Sequence, residues 1–88
     1  GVQTCALPIS EEAKKSKSNP DVYLMAATRL DVKPSECIVF EDIIEAVRGA
    51  KLANMKVIAV YDKAAEYQKQ DLIETADKYI MNFKELIE

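Results

Sequence analysis

Residues 18–42 read SNPDVYLMAATRLDVKPSECIVFED, and this stretch contains a helix signal, a strand signal and two adjacent carboxylates. Asn19 is a suitable N-cap, Pro20 occupies the favoured first helical position, and the apolar residues after it recur at helical spacing. We therefore predict a helix near residues 20–30. The proline in KPSE then disfavours helix, and the apolar run CIVF after it predicts a strand buried on both faces.

The rest of the chain continues this alternation between helical and strand patterns. Asn54 suits a left-handed helix C-cap, and Asn82 with Glu85 three residues later forms a capping-box start. An α-β-α-β-α-β-α order is typical of an α/β domain with a parallel sheet. The patterns predict strands near residues 37–41, 56–61 and 77–81, and helices near residues 20–30, 43–53, 68–75 and 83–87.

Composition limits the classes of protein to consider. The 88 residues are 49% hydrophobic and 31% charged, with a formal net charge of −3, which favours one small globular domain and argues against a nucleic-acid partner. No apolar run approaches the ~20 residues that a membrane-spanning helix needs, so we expect no membrane partner. The chain has no histidine, and its two cysteines lack metal-ligand spacing, so a reduced cytoplasmic location is expected.

Residues 1–9, GVQTCALPI, have no periodicity and differ in composition from the rest of the chain. They match the conceptual translation of a common sequencing-adapter oligonucleotide. We predict that this tract is not native, that the natural chain begins near Ser10, and that it is truncated at its N-terminus. No element of the fold is therefore predicted within this tract.

Glu41 and Asp42 end a predicted strand, which is where open α/β sheets bind ligands. Mg²⁺ prefers one or two carboxylates, several waters and phosphate oxygens. Lys17, just upstream, could supply a positive charge to that phosphate. The alternative, which spacing alone favours, is that Asp42 only N-caps the following helix and Glu41 is solvated. The chain would then be a non-catalytic α/β binding module.

Three blocks taken together carry a family resemblance: KSNPDVY at 17–23, VFED at 39–42 and MKVIAV at 55–60. They resemble the C-terminal half of the haloacid dehalogenase superfamily, in the branch that includes phosphoglycolate phosphatase and β-phosphoglucomutase. The family pattern there is K-P-x-P-D-x-[FY], then V-F-E-D-S-x-x-G, then a hydrophobic strand. The resemblance implies that residues 10–88 form part of a Rossmann-like α/β core, without its N-terminal motifs and cap.

By this resemblance, Lys17 is the catalytic lysine that binds the phosphoryl group, and Asp42 is the Mg²⁺-binding acid. Glu41 is a second acid of the metal site, which binds directly or through water. Phosphoryl transfer is mostly positioning and electrostatic stabilisation, which suits these residue types. The implied parent is a Mg²⁺-dependent phosphatase or phosphomutase, monomeric and cytoplasmic, acting on a small phosphorylated metabolite such as a sugar phosphate.

The sequence departs from the family pattern at several positions. Ser18 replaces a proline beside the lysine, and Ile43 replaces a serine, which removes a hydroxyl from the helix start next to the metal site. Ala46 replaces a glycine, and alanine favours a helix interior by ~1 kcal/mol. Asn54 also replaces a glycine, and it tolerates the left-handed cap.

The family's nucleophile lies in a D-x-D-x-T block, and no D-x-D occurs in these 88 residues. We therefore expect the isolated chain to be inactive, because covalent catalysis needs its nucleophile. In the family sheet, the nucleophile strand lies beside the strand that ends in the two acids. Its absence predicts an unpaired edge on CIVF, and with it a molten, aggregation-prone chain.

Overall fold

A computed structural model of the chain describes residues 5–7 and 19–87. The regular elements alternate along the chain, and three short 3-10 helices connect or follow them. The strands and α-helices are β1 (Cys5–Leu7), α1 (Pro20–Arg29), β2 (Cys37–Glu41), α2 (Ile44–Leu52), β3 (Lys56–Val60), α3 (Lys69–Thr75) and β4 (Lys78–Ile80). The 3-10 helices are Pro34–Glu36, Lys63–Gln68 and Phe83–Leu86.

The described strands form one parallel sheet in the order β1-β2-β3-β4. In its centre, Val39 pairs with Val57 and Glu41 pairs with Ala59. The predicted α/β class and the parallel sheet are therefore confirmed. The three predicted strands appear within two residues of their predicted ends.

β1 is the element that the sequence analysis did not predict, because it lies in the tract assigned to the adapter. It runs parallel to β2, with Cys5 opposite Cys37 and Leu7 opposite Val39. The expectation of an unpaired β2 edge is therefore wrong at these three positions. Unpaired backbone groups on a sheet edge accept an added strand, and Cys-Ala-Leu contains neither a proline nor a charge that would oppose it. The adapter origin of residues 1–9 stays a prediction.

Local signals fix the ends of the helices. The Asn19 side chain caps α1 by accepting a hydrogen bond of 2.9 Å from the Asp21 amide, as the sequence indicates. After α1 the chain reverses through Asp31, which has a φ of 55°. After α2 it reverses through Asn54, whose φ of 65° confirms the predicted left-handed position.

The last predicted helix, near residues 83–87, is instead the 3-10 helix Phe83–Leu86. Its predicted capping box is confirmed. The Asn82 side chain accepts a hydrogen bond of 3.0 Å from the Lys84 amide, and the Glu85 carboxylate accepts one of 3.2 Å from the Asn82 amide.

The core lies on one face of the sheet. Val39, Val57 and Ala59 occupy that face. All three α-helices pack against it, and their buried contributions are Tyr23, Ala27, Ile44, Val47, Ala50 and Leu72. Among the described residues, no helix is long and apolar enough to cross a membrane.

The opposite face of the sheet is less covered. Ile38, Phe40, Ile58 and Val60 lie on it and are half-buried. The Phe83 ring packs on Phe40, with 5.5 Å between the ring centroids. The prediction that CIVF is buried on both faces is therefore wrong: Cys37 and Val39 are fully buried, but Ile38 and Phe40 are not.

Candidate active site at the end of β2

The candidate site lies at the carboxyl edge of the sheet, where β2 ends. The apolar residues of β2 pair with β3 on one side and β1 on the other, and the strand ends at Glu41. Since α2 begins at Ile44, only Asp42 and Ile43 connect the strand to the helix. In a parallel sheet all carboxyl ends meet at one edge, so both acids lie at the edge where α/β folds bind ligands.

Glu41 is a buried carboxylate, with a relative exposure of 5%. The Tyr23 hydroxyl, which α1 supplies from the same face of the sheet, donates a hydrogen bond of 2.8 Å to Glu41 Oε2. Burying a carboxylate costs free energy unless it is hydrogen-bonded, and this contact offsets part of that cost. The alternative prediction that Glu41 is solvated is therefore wrong.

The same contact keeps Tyr23 protonated. Burial, the hydrogen bond to Glu41 and the negative charge of that carboxylate all raise the pKa of the Tyr23 phenol far above its ordinary value. The tyrosine is therefore a hydrogen-bond donor throughout the physiological pH range. The helical pattern places Tyr23 on the inner face of α1, but nothing local indicates a glutamate partner 18 residues away.

Asp42 is half-buried, and its carboxylate forms no hydrogen bond or ion pair with residues 19–87. The N-cap of α2 is Ile43, with an extended backbone (φ −127°, ψ 150°) and no side-chain cap. The alternative prediction that Asp42 caps α2 is therefore wrong. No described residue occupies the Asp42 carboxylate, so this carboxylate is available to a ligand.

Gln68 provides the cap that Ile43 cannot. Its side-chain oxygen accepts a hydrogen bond of 3.1 Å from the Ile44 amide at the start of α2. Gln68 ends the 3-10 helix between β3 and α3. The connection between β3 and α3 therefore holds the turn between β2 and α2, which contains Asp42. Nothing in the sequence around Gln68 indicates this role, because a contact across 24 positions leaves no local pattern.

The donor chemistry of Glu41 and Asp42 fits Mg²⁺, because hard oxygen ligands from one or two carboxylates are what this ion takes from proteins. Residues 19–87 contain no group of three or more acids, histidines or cysteines placed to hold a metal. Water and phosphate oxygens would therefore complete the coordination. Lys17 lies outside the described residues, so its predicted role in binding the phosphoryl group stays a prediction.

A known protein family matches more than half of this chain. Residues 6–60 match the haloacid dehalogenase-like hydrolase family. The chain belongs to that family. Its relatives place it among the phosphatases of that family, and its structural neighbours confirm its Rossmann-like core.

Two relatives illustrate the sequence similarity. The bifunctional riboflavin kinase/FMN phosphatase of Arabidopsis thaliana is 47% identical over 51 residues, which is 58% of this chain and 14% of that protein. Hexitol phosphatase B of Escherichia coli K12 is 35% identical over 81 residues, which is 92% of this chain and 36% of that protein. The chain thus spans well under half the length of these relatives.

Solved structures show the same fold. CbbY from Rhodobacter sphaeroides, crystallised with xylulose-(1,5)bisphosphate, aligns with a TM-score of 0.70 and 29% identity. That alignment covers 78% of this chain and 29% of CbbY. The β-phosphoglucomutase from Clostridium difficile aligns with a TM-score of 0.59 and 23% identity over 78% of this chain and 30% of that enzyme, which is a likeness of fold.

Proposed function

We propose that this chain is part of a Mg²⁺-dependent phosphatase or phosphomutase that acts on a small phosphorylated metabolite such as a sugar phosphate. The observation that carries the proposal is the adjacent pair of acids, Glu41 and Asp42, at the carboxyl edge of a parallel sheet in a family of hydrolases. Relatives named as hexitol phosphatase and fructose-1-phosphate phosphatase support the substrate class. A cytoplasmic, monomeric parent is part of the proposal.

Each residue has a role in this proposal. Asp42 binds the metal directly, because its carboxylate has no partner within residues 19–87. Glu41, whose carboxylate accepts a hydrogen bond from the Tyr23 hydroxyl, contributes as the second acid, directly or through water. Lys17 contacts the phosphoryl group of the substrate. Mg²⁺, when bound, would offset the charge of that phosphoryl group.

The proposal also includes inactivity of the isolated chain. None of the 88 residues belongs to a D-x-D block, so the attacking aspartate of the family is not among them. A lysine and two acids can bind phosphate and a metal, but they cannot form the covalent phosphoenzyme.

The test is to join the chain, from Ser10, to the part of E. coli hexitol phosphatase B that precedes its matching segment, and to assay hexitol phosphate hydrolysis. We expect activity from the joined enzyme and none from the 88-residue chain. Asp42→Asn and Lys17→Ala should each lower kcat/KM by ~10²-fold or more, because each removes charge stabilisation of the transition state. Asp31→Asn, at an acid just after α1, is the matched control and should have no effect.

Two outcomes would contradict the proposal. Turnover by the purified 88-residue chain, free of host phosphatases, would mean that a nucleophile lies within it. A joined enzyme that is active and keeps its full activity after Asp42→Asn would remove the metal-binding role of that acid.

A further inference from the structure

The hydroxyl of Tyr23 is a buried polar group for which the proposed roles of Lys17, Glu41 and Asp42 do not account. We infer that Tyr23 is a positioning residue for Glu41, and that its hydrogen bond sets the affinity of the Glu41–Asp42 pair for a divalent cation. This inference depends on the proposed function, because it assumes that the pair binds a metal.

The geometry isolates this contact from water. Tyr23 is 3% exposed and Glu41 is 5% exposed, and 2.8 Å separates Tyr23 Oη from Glu41 Oε2. Hydrogen bonds to charged acceptors are stronger than neutral ones, and they gain further strength away from solvent. The tyrosine ring is itself fixed, because it packs in the core cluster with Ala27 and Val47.

The contact restricts the orientation of the carboxylate. The last torsion of a glutamate side chain is broad and roughly two-fold, so an unsupported carboxylate samples many orientations. A hydrogen bond to one named oxygen, from a ring held by α1, selects one of them. The direction in which Glu41 faces relative to Asp42, the next residue of the chain, is thereby set by another element of the fold.

Such partners of metal ligands have a measurable effect. Loss of a group that orients a ligand typically weakens metal binding about 10- to 100-fold. A tyrosine that served only the core would instead change the stability of the fold and leave the metal affinity of the folded protein as it was. Metal affinity and stability therefore separate the two roles.

The experiment measures Mn²⁺ binding to the 88-residue chain by the loss of the free-ion electron paramagnetic resonance signal. Circular dichroism melts first establish a temperature at which each variant is folded. We expect Tyr23→Phe to raise the Kd for Mn²⁺ by ~10- to 100-fold. Tyr79→Phe is the matched control and should leave the Kd nearly unchanged, because the Tyr79 hydroxyl makes no hydrogen bond with residues 19–87. Asp42→Asn tests the proposed metal site itself.

The outcomes distinguish the inference from the proposed function. A Tyr23→Phe chain that binds Mn²⁺ like the wild type, while Asp42→Asn has lost affinity, overturns the inference and leaves the metal site standing. Equal binding by the wild type and Asp42→Asn, or no binding by the wild type, overturns both. If Tyr23→Phe does not fold, Tyr23→4-aminophenylalanine restores a donor to the ring. If this variant folds and binds Mn²⁺ with wild-type affinity, the inference is supported. If it folds but binds Mn²⁺ more weakly than the wild type, the inference is overturned.

Discussion

At the scale of single residues, Asp77 joins three elements through one carboxylate. It accepts a hydrogen bond of 2.7 Å from the Val57 amide in β3 and forms a salt bridge of 2.9 Å with Lys51 in α2. Asp77 itself lies just before β4. Partial burial alone would raise the pKa of Asp77, but the hydrogen bonds from Lys51 and Val57 and the charges of Lys51 and Lys56 outweigh it. The pKa therefore lies below its ordinary value of 3.8.

This carboxylate makes the stability of the chain depend on pH. Since the folded pKa is below the unfolded one, the contribution of Asp77 is fully present above the unfolded value of 3.8 and is lost as pH falls through the folded pKa. We expect Asp77→Asn to lower the free energy of unfolding at neutral pH by about 1 kcal/mol, a modest figure because the pair is partly exposed. When unfolding is measured with urea, the difference in free energy of unfolding between wild type and Asp77→Asn should shrink as pH falls below 3.8.

The control for this prediction is Glu66→Gln, at an exposed acid whose carboxylate makes no hydrogen bond with residues 19–87. It should leave the stability nearly unchanged at neutral and at acidic pH. A difference between wild type and Asp77→Asn that stays constant from neutral pH to well below the folded pKa would show that the charge of Asp77 is not the cause.

At the scale of elements, the start of α2 is one place where this chain departs from the family pattern quoted above. Ile43 has the extended backbone of an N-cap but no side chain that can accept a hydrogen bond. The amide oxygen of Gln68 accepts from Ile44 instead, at 3.1 Å. A serine at position 43, as in the family pattern, would satisfy an amide of the first turn from within the same segment.

A double-mutant cycle tests whether Gln68 replaces that missing cap. We expect Gln68→Ala to lower the free energy of unfolding by ~1 kcal/mol, which is the usual cost of losing an N-cap. In an Ile43→Ser background the same change should cost clearly less, because the new hydroxyl takes over the helix start. Equal costs in both backgrounds, measured by urea denaturation, would mean that Gln68 stabilises the chain in another way.

The elements differ in how far the sequence could predict them. α1 and the three later strands are readable from local patterns. These are the Asn19-Pro20 start and the strand-like runs at Cys37–Glu41, Lys56–Val60 and Lys78–Ile80. β1 cannot be read in this way, because its sequence resembles translated adapter, and because its pairing with β2 depends on an edge that no local pattern displays. Tyr23 with Glu41, and Gln68 with Ile44, were missed because each pair joins positions far apart in the sequence.

The candidate site was predicted in the same uneven way. The acids at the end of β2 could be placed because a strand and its carboxyl end are readable from one short run. The contacts that position each acid could not be predicted, because the burial of Glu41 depends on the packing of α1 over the sheet. The cap of α2 likewise depends on Gln68, which lies in the later connection between β3 and α3.

At the scale of the whole molecule, the two faces of the sheet are unequal. The described α-helices bury one face, while the other carries a half-buried apolar row formed by Ile38, Phe40, Ile58 and Val60. Parallel sheets are found almost only with both faces covered. Exposed apolar area of this kind favours association with other apolar surfaces. Since β1 already pairs with the β2 edge, this face is now the stronger reason to expect self-association.

We predict that the 88-residue chain forms oligomers with rising concentration, and that Ile58→Thr reduces this association. Threonine keeps the β-branched shape that suits a strand, but it replaces part of the apolar contact area with a hydroxyl. Sedimentation velocity over a concentration series is the measurement, with circular dichroism to show that the fold is kept.

Leu52→Gln is the matched control: Leu52 is 67% exposed at the end of α2, away from this face, so its loss should leave association unchanged. A wild-type chain that stays monomeric at all concentrations, or a Leu52→Gln effect as large as that of Ile58→Thr, would show that the half-buried row is not the surface through which copies of this chain meet.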